Sequence, residues 1–302
     1  MFNSSSLPSS FPSIDNSVVD DISHLNNTQH HLFTLRDDLI HNIISGNKWR
    51  KLKFAFDRIK KEHLKGVQTF GGAFSNHLLA VACSAKLHGL PSRMFVRGEE
   101  LTFLSNEVLN ACHTMGSQLH FLSRTEYLEQ KTFYGVTSDG FFSIPEGGAC
   151  VEGLMGVFEM GKTITGYDVI AVAQGTTTTS LGLLLSTPTS TTIWVFPVLK
   201  GFNSLLEMEL LANKCGLSLE FQAQKHRVQV KNDYTFGGYA KGEDSLLQEI
   251  KGLGYKIPFP LDYVYTGKAF VGFMQESEKE SGHKKMLFIH TGGYALNKIP
   301  LD

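Results

Sequence analysis

Several short stretches of this sequence place reactive side chains at spacings that could do chemistry. Residues 45–53, Ser-Gly-Asn-Lys-Trp-Arg-Lys-Leu-Lys, set four basic side chains within six positions behind turn and helix-start residues. Lys48 stands where the chain enters that helix, and a lysine amine is a nucleophile toward carbonyl compounds. Trp49, Leu52 and Phe56 share one helical face, so Lys51 and Lys53 are expected in solvent. A second stretch, residues 69–77, Thr-Phe-Gly-Gly-Ala-Phe-Ser-Asn-His, follows a short apolar run and opens a helix. Ser75 and Asn76 are favoured caps, and a helix N-terminus left open to a ligand also holds a carboxylate. A third, Gly175-Thr176-Thr177-Thr178-Thr179, lies between an apolar strand and an apolar helix. Backbone N–H groups, threonine hydroxyls and the helix dipole suit a dianion such as phosphate there. The turn lacks the Gly-Lys-Ser/Thr ending of a Walker A loop. Adjacent His30 and His31 point apart and have no suitably spaced partner, so no metal site is expected.

Around these residues, strand-like and helix-like stretches alternate. The patterning predicts a helix over 50–63, a strand over 67–71, a helix over 76–88, a strand over 92–97, a helix over 104–114 and a strand over 118–122. After a loop at 144–148 come a helix over about 150–164 and a strand over 168–174. An apolar helix is expected from Leu181, a strand over 192–199, a helix over 202–214 and a last strand over 286–290. Residues 32–35 read as one more short strand, and residues 1–31 as surface chain with little regular structure. Strands separated by helices indicate parallel sheets with right-handed crossovers, with a ligand at the carboxyl ends of the strands.

The 302 residues suffice for two α/β halves sharing a cleft. Hydrophobic residues make up 42% and charged residues 19%, the balance of an ordinary globular chain. The formal net charge of −1 gives no global electrostatic case for nucleic acid or an anionic membrane surface. Cys83, Cys112, Cys150 and Cys215 lack paired spacing and read as reduced core thiols. No apolar run reaches membrane-spanning length, and the polar, Ser-rich start lacks the layout of a secretory signal, so a cytoplasmic location is expected.

Taken together, Gly-Asn-Lys at 46–48, Gly-Gly-x-x-Ser-Asn at 71–76, Tyr-Thr-Gly-Lys at 265–268 and His-Thr-Gly-Gly at 290–293 resemble a known family. It is that of the pyridoxal-phosphate (PLP) enzymes 1-aminocyclopropane-1-carboxylate (ACC) deaminase and D-cysteine desulfhydrase, of the tryptophan synthase β-like fold, fold-type II. The resemblance spans most of residues 32–297. It implies two three-layer α/β/α domains with mostly parallel sheets, a smaller one over 51–161 and a larger one made of 1–50 and 162–302. It implies Lys48 as the lysine that carries PLP as a Schiff base. Asn76 would bond the phenolic oxygen of the ring, and Gly175, Thr176, Thr177, Thr178 and Thr179 would cradle its phosphate, although the family has more glycine in this loop. Thr291 would face the pyridine nitrogen. Ser75, Asn76 and His77 would hold the substrate carboxylate, with Tyr239, Tyr265 and Thr266 facing the substrate. Lys48, Ser75, Tyr239 and Tyr265 would be the catalytic set. The implied activity is β-elimination from a small amino acid by a homodimer, as in D-cysteine desulfhydrase, yielding sulfide, pyruvate and ammonia. ACC deaminase is the alternative. Deaminases resemble Tyr-Glu-Gly-Lys and His-Leu-Gly-Gly, whereas this chain has Thr266 and Thr291. A serine dehydratase or racemase and a non-catalytic PLP-fold binding protein are further alternatives, the last disfavoured by the presence of Lys48.

Overall fold

The computed structural model describes residues 10–44, 46–238, 241–252 and 257–293. In chain order the elements are β1 (Val19–Asp21), β2 (His31–Leu35), α1 (Asn47–Lys61), β3 (Gly66–Gly72), α2 (Asn76–Leu87), β4 (Ser92–Arg97), α3 (Glu107–Thr114), β5 (Gln118–Leu122), α4 (Arg124–Gln130), β6 (Gly135–Val136) and β7 (Phe141–Ile144). There follow α5 (Val151–Thr163), β8 (Val169–Gln174), α6 (Thr178–Ser186), β9 (Thr192–Pro197), α7 (Ser204–Lys214), α8 (Ser218–Gln224), β10 (Val228–Val230), α9 (Glu243–Gly252), α10 (Thr266–Lys279) and β11 (Lys285–Ile289).

These strands form two sheets, ordered β1-β2-β11-β8-β9-β10 and β5-β4-β3-β7-β6. Both are parallel except for one antiparallel edge strand each, β1 on β2 and β6 on β7. The larger sheet is covered on both faces, and the period of two along its strands shows it. Val169, Ala171 and Ala173 of β8 face a core shared with Phe270 and Phe273 of α10. Ile170 and Val172 face the opposite core, with Leu154 of α5 and Leu181 of α6. In the smaller sheet Val67, Met94 and Phe142 pack on Leu79 and Leu109 of the adjacent helices, while Phe70 stacks on Phe95 on the other face.

Mostly parallel sheets are thus observed, but α4, β6, α8, β10, α9 and α10 have no counterpart among the predicted elements, and β1, β7 and the start of α6 also depart from them. Residues 1–31 read as surface chain with little regular structure, yet β1 pairs with β2 in register Asp20↔Thr34. Its outer position leaves Val19 exposed, so no alternating apolar pattern marks it. The four-residue β7 is buried along its whole length and carries no period-two signal either. Helix α6 starts at Thr178 rather than Leu181, its buried threonines being held by tertiary hydrogen bonds rather than by helix propensity. Among the described residues no helix is long and apolar enough to cross a membrane, and no cluster of His, Cys, Asp and Glu is arranged to hold a metal ion.

Candidate active site

The carboxyl ends of β3, β8, β9 and β11 open on one cavity of about 510 Å³ lying between the two sheets. The chain reaches it through a tight turn before α1. Gly46 has φ +61°, and a Cβ there would collide with the Thr291 carbonyl, so only glycine fits. The Gly46 N–H donates to the Asp37 carbonyl (2.8 Å) and the Asn47 N–H to the Thr291 carbonyl (3.3 Å). Behind the turn, the Arg50 guanidinium makes a two-pronged ion pair with the buried Asp37 carboxylate, at 2.6 and 2.7 Å. The start of α1 is therefore fixed to the ends of β2 and β11 before any ligand is considered.

Lys48 lines the cavity, and its Nζ donates to Asn47 Oδ1 at 3.0 Å. Asn47 Nδ2 in turn donates to Thr179 Oγ1 at 3.0 Å, which ties the amine to the first turn of α6. Burial pushes the Lys48 ammonium down to about 8, partly opposed by the carboxylate of Asp262. A large fraction of Lys48 is then a neutral, nucleophilic amine in mildly alkaline solution. Lys51, expected in solvent, is instead only 1% exposed and lines the same cavity, with Nζ 3.4 Å from Thr176 Oγ1. Burial, then the charge on Lys48, push Lys51 well below the usual lysine range. Its side chain lies one turn beyond Lys48 on the same helical face, a spacing that could have revealed it. Asn47 was the other residue whose role went unread.

Two helix N-termini converge on these amines. At α6 the N-cap position, Thr177, makes no side-chain capping bond, which leaves the first N–H groups of the helix to a ligand. Gly175, Thr176 and Thr177 line the cavity. Thr178 and Thr179 do not; they are buried behind it, Thr178 donating to the Gly148 carbonyl (3.3 Å) and Thr179 accepting from Asn47. A side chain at Gly175 would force a shift, since a Cβ there would lie 2.6 Å from the Tyr265 ring. At α2, Ser75 Oγ caps the helix by accepting from the N–H groups of His77 and Leu78. Ser75, Asn76 and His77 all line the cavity.

The His77 tautomer follows from its neighbours. Thr69 donates its hydroxyl proton to the Ile144 carbonyl (2.8 Å), so His77 Nε2–H donates to Thr69 Oγ1 (2.9 Å). Burial, and then the charges of Lys48 and Lys51, hold the ring neutral by pushing it well below the usual histidine range. His77 Nδ1 is left as a buried acceptor without a partner among the described residues.

Of the other predicted site residues, Tyr265 and Thr291 line the cavity. Thr266 does not; it is fully buried and donates its hydroxyl to Asp262 Oδ2 at 2.6 Å. Tyr239 lies outside the described residues. His290 is a satisfied core histidine, with Nε2 donating to the Pro260 carbonyl (2.7 Å) and Nδ1 accepting from Gly292 N–H (3.3 Å). The cavity rim carries Arg97, Lys131 and Lys214 against Glu146 and Glu207, with Lys131 bonded to Glu146 at 3.2 Å.

No family model matches the sequence. Among curated proteins it is 29% identical over 281 residues to a provisionally named 1-aminocyclopropane-1-carboxylate deaminase of Pyrococcus abyssi, covering 87% of this chain and 84% of that one. It is 28% identical over 288 residues to the D-cysteine desulfhydrase of Klebsiella pneumoniae, covering 87% and 86%. The chain is thus similar in sequence to proteins that bear the names ACC deaminase and D-cysteine desulfhydrase. It also matches the bifunctional D-cysteine desulfhydrase/1-aminocyclopropane-1-carboxylate deaminase of Arabidopsis thaliana at 27% identity, over 87% of this chain and 72% of that one. Among solved structures, an ACC deaminase homologue superposes with a TM-score of 0.70 at 24% identity, over 93% of this chain and 92% of that one. A PLP-dependent aspartate racemase superposes with a TM-score of 0.65 at 14% identity, over 92% and 90%. The fold is the fold-type II arrangement of these proteins.

Proposed function

We propose that this protein is a PLP-dependent β-elimination lyase acting on a small amino acid, with D-cysteine as the first substrate to test. The observation that carries this reading is a single cavity in which the desolvated Lys48 amine lies between two helix N-termini. The residues fit the cofactor: a lysine, an uncapped glycine-threonine turn in which a Cβ at Gly175 would collide with Tyr265, and the Asn76 and Thr291 side chains for the ring. We place the cleft between a smaller unit, 51–161, and a larger one made of 1–50 and 162–302. A homodimer in the cytoplasm is part of the same proposal, with light scattering the check on its assembly.

When bound, PLP supplies an electron sink for the charge left on Cα. The protein's own residues do the rest. Lys48 would anchor the cofactor and, as a free amine, would take the Cα proton; Asn47 holds its Nζ in place. Gly175, Thr176 and Thr177 with the start of α6 bind the phosphate, and Lys51 adds a cation beside them when the anion arrives. Ser75 and Asn76 at the start of α2 hold the substrate carboxylate, whereas neutral His77 presents only its Nδ1 acceptor and can meet a donor there. Thr291 offers a hydroxyl, not a carboxylate, to the ring nitrogen. With D-cysteine the β-thiolate leaves as sulfide, and the remaining aminoacrylate hydrolyses to pyruvate and ammonia.

ACC deamination is the second reading, favoured by the relatives that bear that name, one of them bifunctional. The test is release of sulfide, pyruvate and ammonia from D-cysteine, other D- and L-amino acids and ACC by the PLP-loaded enzyme. Sulfide and pyruvate from D-cysteine support the first reading. Ammonia from ACC with no product from any D-amino acid would overturn it in favour of the second.

A further inference from the structure

One cation of the cavity has no part in the chemistry described above. Arg97, the last residue of β4, lies opposite Gly72, the last residue of β3, in the parallel register of these strands. Because Gly72 has no side chain, the arginine can lean across the end of β3. One of its guanidinium nitrogens lies 3.9 Å from where a Cβ on Gly72 would stand. That end of β3 leads into the carboxylate pocket: the Ser75 N–H donates to the Gly72 carbonyl (3.0 Å), so a single turn separates Gly72 from Ser75 and Asn76. The guanidinium also stands over the Tyr127 ring, 6.0 Å from its centre, where the ring face attracts a cation. Tyr127 is itself fixed, being buried with its hydroxyl donating to Glu146 Oε1 (2.8 Å).

Exposed arginines are common at protein surfaces, and most are simply solvated. Arg97 differs in its place and in what it lacks. It lines the cavity, and among the described residues no carboxylate lies within ion-pair distance of it. Glu146, on the same rim, is already engaged, with Oε1 on Tyr127 and Oε2 on Lys131 (3.2 Å). Lys214, the other rim cation, donates to the Thr132 carbonyl (2.8 Å). The charges that every amino-acid substrate brings are provided for elsewhere: Ser75 and Asn76 take the α-carboxylate, and the glycine-threonine turn with Lys51 takes the cofactor phosphate. A guanidinium left beside that pocket without a partner matches one more anion on the ligand. Its planar fork suits the paired oxygens of a carboxylate or a phosphate.

We propose that Arg97 is the specificity-determining residue of this cavity, selecting amino acids whose β-substituent carries a second negative charge, such as a phosphate ester. The assignment deepens the proposed function and rests on the reading of the cavity as a β-elimination site. With a serine phosphate ester, Lys48 takes the Cα proton, the Cβ–O bond breaks, and its electron pair leaves with inorganic phosphate. Water then hydrolyses the aminoacrylate to pyruvate and ammonia, as with D-cysteine. Arg97 binds the charged group in the substrate and holds it as the leaving anion gains charge. The cavity volume of about 510 Å³ leaves room for such a substituent beside the cofactor.

The test uses a pair of ligands of equal shape and different charge, aspartate and asparagine, each as the D and the L form. Their binding to the PLP-loaded protein is measured by titration calorimetry. The wild type should bind the acid about tenfold or more tightly than the amide in at least one enantiomeric series, the scale of one charge-assisted hydrogen bond. Arg97→Gln should abolish that preference, Arg97→Lys should keep part of it, and Lys214→Gln should keep all of it. Arg97 is exposed, so its variants are expected to fold. A wild type without the preference would overturn the proposal. So would a preference that survives in Arg97→Gln, including the case in which acid and amide weaken together, which would place Arg97 on the α-carboxylate instead. A preference lost in Lys214→Gln but not in Arg97→Gln would overturn it as well. Calorimetry does not depend on turnover. A preference that follows Arg97 in a protein releasing no product from any amino acid would therefore overturn the lyase reading and leave the specificity assignment standing.

Discussion

Replacing Asp37 by alanine tests how the lysine turn is held in place. The Asp37 side chain is fully buried; it takes two hydrogen bonds from Arg50 (2.6 and 2.7 Å) and one from the Ser17 hydroxyl (2.6 Å). Its removal leaves the Arg50 guanidinium desolvated and unpaired, at a cost of about 3–5 kcal/mol. For a chain of this size each kcal/mol lowers Tm by roughly 2 °C, so a fall of about 6–10 °C is expected. Because Arg50 lies two positions beyond Lys48, PLP affinity should fall as well. Urea unfolding followed by circular dichroism, with PLP titrated by fluorescence, measures both quantities. The double variant Asp37→Leu/Arg50→Met removes both charges and should recover most of the lost stability, because neither partner is then stranded. A loss below about 1 kcal/mol in the single variant, or a double variant no better than the single, would refute this reasoning.

Three other outcomes are expected. In the PLP-free wild type, the acylation rate of Lys48 should rise with pH through a midpoint near 8, because only the neutral amine reacts; a midpoint near the ordinary lysine value would show that burial does not desolvate it. Thr291→Val should weaken PLP binding by about 0.5–1.5 kcal/mol, the scale of one neutral hydrogen bond, and unchanged affinity would remove Thr291 from the ring-nitrogen role. Gly175→Ala should cost about 1–3 kcal/mol of stability or cofactor affinity, because the added methyl meets the Tyr265 ring; thermal melts with and without PLP would show it, and an unaltered variant would mean that the ring moves freely.

Much of this site was legible in the sequence, because the residues that make it are local. Gly46, Asn47 and Lys48 form a turn entering a helix, Ser75 is a helix cap, and Gly175 to Thr177 join a strand to a helix; each states its geometry within a few positions. What the sequence hid depended on distant contacts. Lys51 belongs to a run of charges that usually faces water, and only the approach of Gly148 and Thr176 makes its surroundings dry. Thr178 and Thr179 looked like part of a phosphate loop, but their hydroxyls are spent on Gly148 and Asn47, from segments far away in the chain. Thr266 looked like a specificity position, yet its hydroxyl turns inward to Asp262, so the absence of a carboxylate at 266 is not read by the cavity through that side chain. The fold followed the same rule. Alternating strands and helices declared two parallel sheets, whereas β1 and β7 emerge only from their pairing partners.

The central claim is that Lys48 bears the cofactor, and one labelling experiment tests it most directly. The purified protein is loaded with PLP, reduced with borohydride, digested, and the phosphopyridoxyl group located by mass spectrometry. The label is expected on Lys48 alone, with the yellow colour and the label both lost in Lys48→Ala. Lys51 is the demanding control, since it lies in the same cavity and burial pushes it, too, well below the usual lysine range. A label on Lys51, or on any other lysine, would contradict the account.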